Sequence, residues 1–350
     1  MSKNQSAKKR YFEYGFSTGY LPSGKTNSIA DVSGVTIGHI SKIEGTDVRT
    51  GVTVIDPGVN NLFQEKIPAA FYVANGAGKV AGVTQVEEYG TIEAPIALTN
   101  THAVGSVMRG IIDLVIKQNP DLKPTDSINA VVGEVNDGYL SNIHKNVIEP
   151  EDVNRAYAAR SGDVAIGSVG AGTGTRCFYW KGGIGTSSRI VSLDGQKYTI
   201  GVLVQTNFGG SLNLAGIPFG KLVGKSDFTF EEIIPDGSCV IVVATNAPFT
   251  ARQLKRLAKR AIIGLTNTGS VVATYSGDYV ISFSTNRDGI EGVTPRQKLI
   301  PDTSLNNFFL ATVEATEESI FDALFAAETM RGKDGNVRNA FPIEESLKYL

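Results

Sequence analysis

The chain has 350 residues, of which 41% are hydrophobic and 19% charged, with a formal net charge of −2. This is the composition of a soluble globular protein with a large core, and it gives no global electrostatic reason to bind nucleic acid or an anionic membrane. Two cysteines, Cys177 and Cys239, build no disulfide framework, no run of ~18 apolar residues is present, and the polar, basic stretch Met1–Arg10 has no apolar h-region, so a cytoplasmic location is expected.

In chain order the pattern alternates strands with helices. Val35–Ile40, Val52–Ile55 and Ala69–Ala74 read as strands. A helix is expected over Val104–Lys117, closed by Asn119 and Pro120. Ala130–Val135 reads as a short buried strand and Glu149–Ala159 as a helix. Ile200–Gln205 and Cys239–Thr245 are strongly β-branched runs. Thr250 can cap a helix over Thr250–Leu265, with Leu254, Leu257, Ala261, Ile262 and Leu265 on one face. Its other face carries Arg252, Lys255, Arg256, Lys259 and Arg260, read as a solvated face rather than a nucleic-acid patch. Val271–Thr274, Tyr279–Ser284 and Phe309–Val313 are read as strands. A last helix is expected over Thr316–Met330, with Glu317 and Glu318 in its first turn, and then a polar turn region over 331–339. Helices laid outside sheets suggest a layered α/β arrangement.

Several motifs match a pattern but lack its context. Gly19 to Thr26 fits the Walker A letters, yet no strand precedes it and a strand rather than a helix follows. Gly15-Phe-Ser17-Thr-Gly19 fits a nucleophile elbow but has the same defect. The glycines of 167–188 give no dinucleotide fingerprint and read as backbone packed on backbone. His39, His102 and His144 have no ligand spacing, so no metal site and no cofactor are expected.

Gly237-Ser238 is different in kind. It stands at the mouth of the apolar run Cys239–Val243. Gly237 has no Cβ, so its carbonyl can twist and be approached closely. A cut there would leave Ser238 with a hydroxyl and a free α-amino group that titrates near ~7.7–8.0. Such an amine can act as general base for its own hydroxyl. Alone, Gly-Ser before a strand is commonly just a turn, and the case for a cut has to come from the rest of the chain. Cys239 follows on the opposite face of the strand and is read as core.

Separated blocks resemble one family in order. They are Asn27–His39 with Asp47–Ile55, Gly167–Arg189, Asp236-Gly-Ser238 through Gly264, Ser276-Gly-Asp278, and Glu314 through Met330. Together they resemble the DmpA/BapA type of self-processing aminopeptidases, which includes L-aminopeptidase/D-amidase/D-esterases and β-peptidyl aminopeptidases. The resemblance runs over nearly the whole chain from Gly24 onward. It implies a four-layer α/β/β/α sandwich, in outline like the ornithine acetyltransferases, with one catalytic domain over 1–350 cut into an α chain, 1–237, and a β chain, 238–350. It implies that the two chains stay associated and assemble into homo-oligomers, a tetramer of αβ units. By the same resemblance Ser238 falls on the nucleophile, and Asn207 on the oxyanion donor. Ser276 and Asp278 fall on the pair that orients the nucleophile and its amine. Glu134 falls on the carboxylate that binds the substrate's ammonium, with Asn136 and Tyr139 lining that pocket. Tyr275 stands where a smaller or polar residue is expected. The activity implied is hydrolysis of small peptides or amides with a free amino end, through an acyl-enzyme. An acyltransferase, an endo-acting amidase and an uncleaved binding protein on the same fold remain open alternatives.

Overall fold

The computed structural model describes residues 9–228, 237–290 and 292–349. Most of Met1–Arg10, and the Pro235 and Asp236 that precede the Gly-Ser pair, lie outside them. The strands are β1 Thr36–Glu44, β2 Val48–Asp56, β3 Ile67–Gly76, β4 Val80–Ala81, β5 Thr91–Ile92, β6 Ile96–Asn100, β7 Val131–Val135, β8 Arg176–Cys177, β9 Trp180–Lys181, β10 Ile184–Leu193, β11 Gln196–Phe208, β12 Gly237–Thr245 and β13 Gly277–Ser284, with a short pair β14 Met330–Arg331 and β15 Val337–Arg338. The helices are α1 Val83–Tyr89, α2 Val104–Gln118, α3 Pro150–Ala158, α4 Phe219–Leu222, α5 Ala251–Asn267, α6 Asn306–Ala326 and α7 Ile343–Ser346.

Two sheets face each other. One has the order β1-β2-β6-β7-β4, and the other runs β5-β3-β13-β12-β11-β8-β9 with β10 paired to β11. Alternation along each strand sends one set of side chains between the sheets and the other set outward. Val240 and Val242 of β12 meet Leu98 and Val131 of the smaller sheet in the inner core. Cys239, Ile241 and Val243 point the other way and pack under α5 and α6. On the far side α2 and α3 cover the outer face of the smaller sheet through Val107, Ile111 and Val153. The result is the four-layer α/β/β/α sandwich.

Local chemistry explains most elements. Thr250 caps α5, and its side chain accepts from the Gln253 amide in a capping box. The basic face of α5 is solvated and paired, with Arg252 and Arg256 on Asp302 and Lys255 on Glu87. Gly183 packs on backbone as expected: a Cβ there would lie 1.8 Å from the Gly167 carbonyl oxygen. The Walker-like segment does cradle an anion, but one from its own chain. The amides of Tyr20 and Leu21 donate to the two carboxylate oxygens of Glu314 at 2.8 and 3.1 Å.

Four expectations for the C-terminal half are corrected. Val271–Thr274 is irregular, because Val272 takes a positive φ of 51° and, among the described residues, no neighbouring strand pairs with the run. Phe309–Val313 is helical and belongs to α6, which starts at Asn306 and ends at Ala326 rather than spanning Thr316–Met330. This helix is buried almost all round, so it has no amphipathic period to announce it. Its inward acids, Glu314 and Glu318, bind Arg189 at 3.2 and 2.6 Å, and Asp322 binds Arg10 at 2.7 Å. Finally, the polar stretch 331–339 contains the β14–β15 hairpin.

Candidate active site

β12 begins at Gly237, so Ser238 is the first inward-facing side chain at the open end of the sandwich. Gly237 has φ 140°, and a Cβ on it would lie 2.2 Å from the backbone oxygen of Asn207. Only glycine fits this close approach of β12 to β11. The Ser238 hydroxyl donates to the Gly237 carbonyl oxygen at 2.7 Å and accepts from the Gly277 N–H at 3.2 Å. Ser238 is 8% exposed.

Register decides what stands beside it. Ser238 pairs with Asn207 on β11 and with Gly277 on β13. Opposed residues of an antiparallel pair share a face, so Asn207 and Ser238 both face the space between the sheets. Asn207 Nδ2 donates one hydrogen to the Asn136 carbonyl at 2.8 Å, and its Oδ1 accepts from the Arg176 N–H at 3.3 Å. An amide nitrogen carries two hydrogens, so the anchored Asn207 keeps a second donor.

Glu134 sits on β7, 4% exposed. Its Oε1 accepts from the Lys79 backbone N–H at 3.2 Å and from Lys79 Nζ at 3.3 Å, while Nζ also donates to Thr101 at 2.9 Å. The buried carboxylate therefore has its cation within the chain. The Tyr279 hydroxyl is buried nearby and makes no hydrogen bond among the described residues. Burial pushes it up to about 12, helped by the charges of Glu134 and Asp278.

A cavity of about 1040 Å³ joins these groups. Ser238, Asn207, Glu134, Asn136 and Tyr139 all line it. Asn136 Oδ1 accepts from the Gly138 N–H at 2.9 Å, which fixes the turn. Tyr139 is 45% exposed, with the Arg338 guanidinium 4.0 Å from its ring centre. Behind this wall, Asp137 and Lys181 are fully buried; burial raises the acid and lowers the amine, and each charge draws the other back.

Ser276 and Asp278 are buried as well, but the cavity does not reach them. Asp278 pairs in register with Cys239, so it lies on the helix side of the sheet, opposite the Ser238 hydroxyl. Neither carboxylate oxygen of Asp278 makes a hydrogen bond of normal geometry among the described residues. Burial raises Asp278 to about 6, with the Ser276 hydroxyl and the Cys239 N–H pulling it back. Burial also pushes the Cys239 thiol well up, with the charge of Asp278 adding to it, as suits a core residue.

Of the three histidines, His144 lines the cavity, and His39 and His102 do not. His39 is lowered to about 4 by burial and bonds Thr53 at 2.9 Å. His102 and His144 stack on each other with ring centres 5.4 Å apart. Among the described residues no group of three His, Cys, Asp or Glu is placed to hold a metal ion. Sequence reading missed Lys79 and Arg338, which come from segments without a motif, and Arg176, which lies inside the Gly167–Arg189 block but carried no signal of its own. The one signal was that a buried Glu134 requires a cation.

The profile of peptidase family S58 matches residues 27–338. The beta-peptidyl aminopeptidase BapA of Sphingosinicella microcystinivorans is 39% identical over 93% of this chain and 88% of its own length. The solved structure of a Burkholderia sp. beta-aminopeptidase superposes with a TM-score of 0.88 at 34% identity, covering 97% of this chain and 98% of that one. The L-aminopeptidase D-Ala-esterase/amidase of Ochrobactrum anthropi, described as a new variant among the Ntn hydrolase fold, gives 0.86 at 31% identity over 96% of both chains.

Proposed function

The chain belongs to peptidase family S58 and is an aminopeptidase, and from that premise we propose that Ser238 is its nucleophile, released by the chain's own cut at Gly237-Ser238. The observation that carries the proposal is the Ser238 hydroxyl held 2.7 Å from the Gly237 carbonyl oxygen at the floor of a cavity that also holds Glu134 and Asn207.

The cut begins when Ser238 Oγ adds to the Gly237 carbonyl carbon. The C–N bond breaks, the nitrogen leaves as an amine with the hydroxyl proton, and an ester joins Gly237 to Oγ. Water hydrolyses the ester, giving the Gly237 carboxylate and a free Ser238 with amine and hydroxyl. In turnover the amine takes the hydroxyl proton, Oγ attacks the substrate carbonyl, and the second N–H of Asn207 meets the developing oxyanion. The leaving amine departs with the proton, and water releases the acyl group.

Asp278 and Ser276 act from beneath. The nitrogen that becomes the amine lies in the sheet plane, between the Ser238 face and the Asp278 face. An ammonium formed there supplies a cation to the buried Asp278, which has none among the described residues. Glu134 reads the substrate's ammonium, and Asn136 and Tyr139 shape the wall around it. The similarity to beta-peptidyl aminopeptidases supports β-aminoacyl peptides or amides as substrates. A second reading, an endo-acting amidase, is favoured by one observation: Lys79 already neutralises Glu134. Comparing one amide with and without an N-acetyl cap separates the two.

We further infer a cytoplasmic homo-oligomer, a tetramer of αβ units. Cys177 and Cys239 are both free, in keeping with a reducing compartment. Tyr275, Val271 and Val73 are exposed apolar groups that suit an interface. Among the described residues no helix is long and apolar enough to cross a membrane. Light scattering of the processed protein tests the assembly, and intact mass on a denaturing gel tests the cut.

A further inference from the structure

The cavity wall on the β13 side carries an aromatic ring that neither the cut nor the ammonium site uses. Tyr275 lines the cavity and is 80% exposed, a large side chain left in solvent close to Ser238. Its ring makes no hydrogen bond, aromatic contact or cation contact among the described residues. The other tyrosine of the lining, Tyr139, is covered by the Arg338 guanidinium, 4.0 Å from its ring centre. Of the exposed groups Tyr275, Val271 and Val73, only Tyr275 reaches the cavity, and the other two remain for an interface between copies.

The loop that bears this ring is held in place. Asn75 Nδ2 donates to the carbonyls of Ala273 and Thr274 at 3.0 and 3.1 Å and also reaches that of Ser276. The Ser276 N–H donates to the Ala273 carbonyl at 2.8 Å, and the Ala77 N–H to the Ser276 carbonyl at 3.3 Å. Val272, a β-branched residue, takes a φ of 51°, a conformation that persists only where its surroundings impose it. The held turn fixes where Tyr275 starts, and a side chain with two χ angles loses little freedom when a ligand packs on it. Its place relative to the chemistry follows from two close approaches. A Cβ on Gly277 would lie 3.3 Å from the Ser238 hydroxyl and 3.1 Å from the Ala77 carbonyl oxygen, and a Cβ on Gly78 would lie 3.0 Å from Glu134 Oε1. Ala77 and Gly78 thus run from the nucleophile to the ammonium site along the β13 side, while Asn207 stands on the β11 side. Tyr275 precedes Gly277 by two residues, a span of at most about 7 Å.

We propose that Tyr275 is a specificity-determining residue whose ring is the platform for the substrate's aminoacyl side chain, so that the favoured substrates carry an aromatic group on the residue that bears the free amine. The proposal rests on the aminopeptidase reading, because that reading puts the carbonyl of this residue at Ser238 and its ammonium at Glu134. The side chain branches between those two ends and leaves the cavity floor on the side where Tyr275 stands. An aryl group laid on Tyr275 removes apolar area of both rings from water and adds the attraction of a stacked pair. A residue without a side chain leaves the ring solvated, and a carboxylate side chain meets the negative face of the ring.

The test compares β-homophenylalanine amide, β-alanine amide and N-acetyl-β-homophenylalanine amide on the processed enzyme. Primary amides keep the only substrate ring on the aminoacyl residue. The wild type should prefer the aryl substrate to β-alanine amide by about tenfold in kcat/KM, mostly through KM, as ring burial with stacking allows. Tyr275→Ser should bring that ratio toward one, and Tyr275→Phe should keep it. Equal turnover of the two uncapped amides by the wild type would overturn the platform while leaving a free-amine requirement intact. A Tyr275→Ser enzyme that keeps the preference would overturn it too. So would one that loses both substrates in equal proportion as light scattering shows a smaller assembly, since Tyr275 would then serve the interface. Indifference to the acetyl cap would remove the aminopeptidase reading and the platform with it.

Discussion

The Ser238 hydroxyl hydrogen-bonds to the carbonyl of Gly237, its own chain neighbour, at 2.7 Å. That carbonyl belongs to the peptide bond whose loss would free Ser238. The Gly277 amide donates to the same hydroxyl at 3.2 Å and fixes its rotamer from the neighbouring strand. The proposed nucleophile and its proposed target are thus held together before any substrate arrives, and holding reactants in place is a large part of what lowers a barrier.

Processing is the first consequence. The purified protein should run as two polypeptides, residues 1–237 and 238–350, and Ser238→Ala should remain one inactive chain. Gly237→Ala should also fail, because its Cβ would meet the Asn207 backbone at 2.2 Å. Intact mass decides the matter. A wild-type chain that stays whole yet turns over substrate would falsify the mechanism.

Asp278 yields a pH dependence with a defined sign. Its carboxyl is raised to about 6 in the uncut fold, against 3.8 for the unperturbed group. The folded state therefore holds the proton more tightly than the unfolded chain. Below about pH 4 both states are protonated and there is no penalty. The penalty grows between about pH 4 and 6 and is full above that, on the order of 3 kcal/mol. In an uncut Ser238→Ala background, the melting temperature should fall as pH rises through this window, and Asp278→Asn should flatten the fall. In the processed enzyme Asp278→Asn should instead slow turnover, since the new ammonium loses its partner. Parallel melting curves with and without Asp278 would remove the buried charge from consideration.

Asn207 is anchored at both ends of its amide, by Asn136 and Arg176, and so presents its remaining N–H in a fixed direction. Losing one preorganised oxyanion donor typically removes about 10²–10³ in rate. Asn207→Ala should therefore depress kcat by that order with little change in KM. A change confined to KM would make Asn207 a substrate-binding residue instead.

The legible part of this molecule was what local chemistry dictates. The run Cys239–Thr245 and the helix capped by Thr250 follow from β-branching and a capping box, and the resemblance singled out Ser238, Asn207 and Glu134, which line one cavity. What escaped depends on partners distant in sequence. Phe309–Val313 looks like a strand until Arg189 and Arg10 supply cations for the acids that let α6 be buried all round. Val271–Thr274 has the composition of a strand and, among the described residues, no neighbour to pair with. Asp278 shares a motif with Ser276, but only register shows that it lies on the face opposite the Ser238 hydroxyl. Arg338 reaches the cavity across 199 positions of chain from Tyr139, and no spacing rule links the two.

Glu134 makes the sharpest prediction about substrate choice. Its carboxylate is buried, and one oxygen holds both the amide and the ammonium of Lys79. The Lys79 side chain is 53% exposed, so its ammonium can move into solvent while Glu134 cannot. A substrate ammonium entering the cavity would take that place, and the displaced Lys79 regains hydration. Acetylating the substrate removes the charge, so the capped amide cannot displace Lys79 and should be poor. A hydrogen bond between charged groups contributes about 1.5–3 kcal/mol, or roughly tenfold to a hundredfold in kcat/KM. Glu134→Gln should weaken free-amine substrates by that order and narrow the gap to capped ones. Lys79→Met should lower KM for free-amine substrates, because the competing internal cation is gone and the backbone bond of residue 79 to Glu134 remains. The measurement is kcat/KM for one amide, capped and uncapped, in all three proteins. If capped and uncapped amides are cut equally by the wild type, Glu134 is a structural partner of Lys79 and the enzyme acts within chains rather than at their amino ends.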